Sequence, residues 1–166
     1  MARWLIRAAV VGMVAMWAFV LYLAVVRGRA DSPDKLEDPT FAERAQEACS
    51  ARLDLIAELP PAADAPDAAT RGRTVAQANG HLADLLDDLA ALEPLVTPGE
   101  DREIVQEWLT DWRTYLDDRE TYAAALEDDP DARLFVTAKG GEQITEYLDQ
   151  FARDNDMPAC STPADA

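Results

Sequence analysis

Residues Glu103 to Glu127 read EIVQEWLTDWRTYLDDRETYAAALE, and their apolar members recur at steps of three and four, not two. Ile104, Val105, Trp108, Leu109, Trp112, Leu116, Ala123 and Leu126 fall on one side of a helix with 3.6 residues per turn. The preceding TPGE places Thr97 as N-cap, Pro98 at the first helical position and Glu100 at the third. The helix is therefore expected from there to about Glu127, before DDPD. A helix this long with one apolar face needs neighbours to cover it.

Those neighbours are legible on both sides. Upstream, TVAQANGHLADLLDDLAALE carries Val75, Ala78, Leu82, Leu85 or Leu86, Leu89 and Leu92 on one face until Pro94. Gly80 weakens its middle by about 1 kcal/mol relative to Ala. Earlier still, TFAERAQEACSARLDLIAEL opens with Thr40 and Glu43 in a capping-box pattern. Phe41, Ala45, Cys49, Leu53 and Ile56 follow on one stripe, and PPAADAP ends the helix. Downstream, ARLFVTAKGG reads as an ordered loop or short extended piece, and EQITEYLDQFARDN as a short last helix with Ile144, Tyr147, Leu148 and Phe151 together. No useful stretch alternates with period two. The expectation is an all-α fold, with four helices in an antiparallel bundle over residues 40–160.

The N-terminal residues 1–29 serve a different purpose. Residues 8–26, AAVVGMVAMWAFVLYLAVV, are uncharged between Arg7 and Arg27, and as a helix they reach ~28 Å, close to the hydrocarbon thickness of a bilayer. The run exceeds the apolar region of a cleavable signal peptide, and the small-residue site at Gly28-Arg29-Ala30 is crowded by arginines. Cys49 lies too far beyond the run for lipidation after cleavage. An uncleaved single-pass anchor is expected, then a polar connector over 30–39, the acidic domain over 40–160 and a tail over 161–166.

Flanking charges nearly cancel, so they do not orient the anchor. The two cysteines do. Cys49 and Cys160 are the only pair, and a disulfide between them would pin the end of the domain onto its first helix, which suits an oxidising compartment. The soluble part is accordingly expected outside the cytoplasm.

Arg3, Arg7, Arg27 and Arg29 precede any acid, which leaves residues 31–166 at a net charge of −21. Such a polyanion repels nucleic acid and anionic lipid heads, and it favours a partner with a basic or helical surface. Catalytic machinery is sparse. His81, the single histidine, sits beside acids such as Asp84 and lacks the N and S donors of a zinc site. The three serines, Ser32, Ser50 and Ser161, stand in no nucleophile turn, and no glycine-rich phosphate cradle occurs. Asp154, Asp156 and Asp165 imitate calcium-loop spacing, but Ala159 replaces the required glycine. No metal, no cofactor and no enzyme activity are expected, and the acidic runs read as solvated helix faces.

The layout of anchor, EACSARL, EWLTDWRTYLDDRETYA and QITEYLDQFARDNDMPAC resembles a group of membrane-anchored exported helical proteins of actinobacteria. The resemblance implies location and architecture and carries no activity. One local feature stands out: Trp108, Trp112, Tyr115, Arg119 and Tyr122, spaced four, three, four and three along one face. It is the candidate interaction stripe. Rings packed into the bundle make it core, leaving a non-catalytic interaction or scaffold domain. Rings lining an open cleft with converging acids would instead make a binder or enzyme for a glycan or cation.

Overall fold

The computed structural model describes residues 2–30 and 32–163, with the side chains at 2–6, 8, 9 and 24–30 excepted. The chain divides into two compact units, meeting between Lys35 and Leu36. In the first, α1 runs Ala2–Ala30, and its side chains from Val10 to Tyr22 are all exposed. Among the described residues no helix is long and apolar enough to cross a membrane. The described apolar run of α1 is residues 10–23, and the remaining side chains of the 8–26 anchor lie outside the described residues.

The second unit is mostly helical: α2 (Thr40–Ala57), α3 (Ala68–Leu92), α4 (Glu100–Asp128) and α5 (Ile144–Asp154). It takes in Leu36, four residues ahead of the expected domain start at Thr40. Leu36 is buried, and its N–H donates to Asn155 Oδ1 at 2.9 Å. Between α4 and α5, β1 (Ala138–Lys139) and β2 (Glu142–Gln143) form a two-residue antiparallel ladder, Ala138 opposite Gln143. Gly140 and Gly141 turn it at φ 61° and 98°, where a side chain at Gly140 would strike the Tyr147 hydroxyl.

Three helix starts differ from the sequence expectation. At α2, Thr40 is already helical, and its N–H donates to Asp38 Oδ1 at 2.9 Å. The box of Thr40 and Glu43 does not form. At α4, Gly99 with φ 134° occupies the cap position without a side-chain bond, so Thr97 caps nothing. Glu100, Asp101 and Glu103 instead set negative charge against the first-turn amides. α3 begins six residues before Thr74, because Asp67 accepts from the Thr70 N–H at 2.7 Å. That hydrogen bond holds the Asp67 carboxyl below its ordinary value.

Cross-helix contacts give the pairing. Arg52 reaches Asp84 and Asp88 at 2.9 and 2.8 Å, tying α2 to α3. Along α3 and α4, a Cβ at Gly72 would meet Ala123, Asn79 meets Arg119, and Glu93, just past α3, meets Gln106. As one number rises the other falls, so these two helices run antiparallel. Gly72 is what lets them close, since a Cβ there would sit 3.0 Å from the Ala123 carbonyl oxygen. The main core gathers Ala45, Leu82, Leu89, Val105, Leu109 and Leu148, all at most 1% exposed, and a smaller one gathers Val75, Tyr122 and Leu126.

Candidate functional site

Each member of the stripe lies inside. Trp108, Trp112, Tyr115 and Tyr122 are 3, 1, 3 and 7% exposed, and Arg119 is fully buried. The rings interlock edge to face: Trp108 meets Phe41 and Trp112 at 6.2 Å between centroids, and Trp112 meets Tyr115 at 5.8 Å. Phe151 from α5 lies 4.9 Å from Trp108, whose indole N–H donates to Leu148 O at 3.3 Å. Tyr122 belongs to the smaller core with Val75 and Leu126. Three elements thus cover this face, and the open aromatic cleft is not formed.

Arg119 lies within the stripe as a buried cation. Its Nε donates to Asn79 Oδ1 at 2.8 Å, an Nη donates to the Tyr115 hydroxyl at 3.3 Å, and the guanidinium stands 5.7 Å from the Tyr115 ring centre. Because Arg only donates, the amide of Asn79 must turn its oxygen inward. Its Nδ2, also buried, has no hydrogen-bond partner among the described residues. The sequence singled out Arg119 but missed Asn79, whose polarity is disguised by Ala78 and Gly80 beside it.

The cysteines are joined. Cys49 on α2 and Cys160 in the closing turn Pro158–Cys160 form a disulfide with Cα atoms 5.2 Å apart, both at most 1% exposed. Gln46, one turn earlier, accepts from the Ala159 N–H at 2.9 Å, and Asp149 accepts from the Thr162 N–H at 2.7 Å. The expected tail over 161–166 is held at least to Thr162, and Ala164 to Ala166 lie outside the described residues.

A second charged cluster was not foreseen. Lys139, one of two lysines, places Nζ 2.6 Å from Asp111 and 2.7 Å from Glu107, and 5.2 Å from the Tyr147 ring centre. Burial pulls the ammonium down, but the bonds to Asp111 and Glu107 outweigh it and hold Lys139 above its ordinary value. The cluster fastens the hairpin to α4, together with Thr137, whose N–H and hydroxyl both donate to Asp118. His81 is half-buried, and Asp84 accepts from Arg52. Among the described residues no three His, Cys, Asp or Glu side chains converge as a metal cage. Asp154, from the calcium-like spacing, is buried and accepts from Gln150.

Comparison with protein-family models, with curated proteins and with solved structures finds no match to the chain. Any function has to be read from its own residues.

Proposed function

We propose that the chain is a single-pass membrane protein, anchored by residues 8–26, whose four-helix domain works outside the cytoplasm as a non-catalytic interaction or scaffold domain. This reading places it with the membrane-anchored exported helical proteins that it resembles. The observation that carries it is the disulfide between Cys49 and Cys160, a long-range cross-link of a kind that persists in oxidising compartments and is rare in the cytosol.

Two further observations support it. Residues 10–23 of α1 are apolar around the whole circumference, with Val10 to Tyr22 exposed, which suits hydrocarbon better than water. The stripe of Trp108, Trp112, Tyr115, Arg119 and Tyr122 is consumed by packing, so the glycan- or cation-binding alternative loses the cleft it needed. What remains for function is the outside of an acidic bundle, suited to a partner surface that is basic or helical.

A reporter fused after Ala166 tests the location. An enzyme that matures only outside the cytoplasm should be active there, and a cytoplasm-only reporter inactive. Activity of the cytoplasmic reporter alone, with free Cys49 and Cys160 thiols in native membranes, overturns the reading.

A further inference from the structure

α3 has a second patterned face, away from its leucines. Ala69, Arg73 and Ala76 precede Gly80 on it, and Ala83, Asp87 and Ala90 follow, at steps of four, three, four, three, four and three. That is a heptad register. Ala83 and Ala90 are half-buried and the other five residues exposed. From Ala69 to Ala83 the face borders an open groove of about 680 Å³, walled on the α4 side by Glu120, Ala124 and Glu127.

Two details point to an occupant. Gly80 sits mid-helix although a Cβ there would meet nothing within 4 Å, so no contact inside the chain requires a glycine. Asn79, 4% exposed, lines the groove with its oxygen committed to Arg119 and its Nδ2 without a partner among the described residues. A buried donor left in that state keeps its desolvation cost uncompensated. Something that approaches the backbone closely and brings an acceptor would account for both.

The charges identify it. The face is near-symmetric about Gly80: Arg73 lies seven residues before and Asp87 seven after, while Ala76 and Ala83 stand four before and three after, and Ala69 and Ala90 eleven before and ten after, so the alanines correspond to within one residue. Across a twofold axis at Gly80, two antiparallel α3 helices would set each Arg73 against the other's Asp87, with alanine on alanine between. α4 repeats the device about Glu120, with Arg113 seven residues before and Glu127 seven after, all three exposed. Because α4 runs antiparallel to α3, the same axis sets Arg113 against Glu127. Glu120 meets its own copy at the axis, an unfavourable contact, and offers an acceptor at the level of Asn79 Nδ2. We propose that this α3/α4 face is a self-association surface, occupied by a second copy of the chain.

Size and charge set the strength. A strip of two helices from Ala69 to Ala90 is ~33 Å long and ~20 Å wide. That is roughly 660 Å² in projection, against ~800 Å² per partner in a standard interface. The net charge of −21 over residues 31–166 opposes association at low salt. At ~0.15 M salt, repulsion beyond ~8 Å is screened, and the facing pairs decide.

Sedimentation equilibrium of the full chain in density-matched detergent at that salt tests the proposal, over ~1–100 μM, the range for an interface near the lower size limit. The wild type should dimerise. Arg73→Asp and Asp87→Arg, both exposed and so compatible with folding, should each weaken the dimer by about tenfold or more, since each replaces two attractive pairs with two repulsive ones. The double variant R73D/D87R should recover it. A monomeric wild type overturns the proposal. So does a dimer indifferent to the single exchanges, which would place the contact elsewhere, or a folded double variant that stays monomeric, which would leave the groove to a foreign basic helix.

Discussion

Gly72 and Gly80 stand about two turns apart on α3, and alanine at the two positions should move stability in opposite directions. At Gly80 the new methyl meets nothing within 4 Å, so the change brings only helix propensity, a gain of about 1 kcal/mol. At Gly72 the methyl would sit 3.0 Å from the Ala123 carbonyl oxygen and 3.4 Å from Leu126 Cβ. That oxygen belongs to the backbone of α4 and cannot swing aside, so the helices must part. Overpacking of this kind costs ~1–3 kcal/mol, and the same propensity gain offsets about 1 of it. The two variants should therefore differ by ~2 kcal/mol, with Gly80→Ala above the wild type and Gly72→Ala at or below it. In a domain of this size that separates their melting temperatures by ~6–10 °C. Thermal melts of the full chain in detergent, followed by tryptophan fluorescence at submicromolar protein, keep self-association out of the comparison. If Gly72→Ala gains as much as Gly80→Ala, α3 and α4 do not approach as closely as Gly72 implies, and the reasoning fails.

Cys160→Ser opens a loop of 111 residues, for which chain-entropy arguments give ~4–5 kcal/mol. Melting should fall, and hydrogen exchange at Ala159 and Thr162 should quicken; an unchanged melt would remove the disulfide from the account of stability. Trp112→Ala empties a site 1% exposed and should cost ~3–5 kcal/mol. A variant that keeps its melting temperature yet loses a partner would return the stripe to function. Asp67, whose carboxyl is held below its ordinary value, contributes its cap above the unfolded-state pKa of ~3.9 and loses it as pH falls through the lower folded value. The protection factor at the Thr70 amide should therefore drop below about pH 4 in the wild type and show no such step in Asp67→Asn. Lys139 has the opposite sign: its raised value makes its contribution complete below ~10.4 and lost as pH rises through the folded value. Nuclear magnetic resonance should show the Ala138–Gln143 ladder loosening in Lys139→Gln already at neutral pH; an undisturbed ladder would refute the fastening role.

How much of this was written in the sequence depends on whether a residue's partner is local or remote. The helices α4 and α5 were legible because their apolar faces are long and periodic, and the disulfide because a cysteine on a stripe and a cysteine in a tail, the only two in the chain, leave one pairing. The caps were not. Thr40 and Thr97 precede periodic segments as good caps do, but the backbone at Pro39 and Gly99 hands the role elsewhere, to Asp38 in one case and to a bare glycine in the other. The first six residues of α3 gave no signal because Ala68 to Arg73 carry almost no apolar surface of their own; their packing partners, Ala123 and Leu126, belong to α4. The stripe could be placed on one face from its spacing, yet only the arrival of Phe41, Leu148 and Phe151 shows that the face is covered. Asn79 is the extreme case, polar among small residues, with a partner forty positions away.

The two faces of α3 show the same distinction within one helix. Its inner face, Val75, Ala78, Leu82, Leu85 and Leu89, dominates any count of hydrophobic periodicity, because leucine outweighs alanine in buried area. The outer face, centred on Gly80, is equally periodic but made of residues that contribute little by burial and much by allowing approach. A face of that kind stays silent until the helix has been fixed from the other side. Once the leucines have turned inward, Ala69, Ala76 and Gly80 lie at the surface, where large polar side chains would keep a neighbour away and these do not. Packing inside the chain therefore decides which pattern remains available outside it, and on α3 what remains is a strip that matches its own reverse in size and in charge.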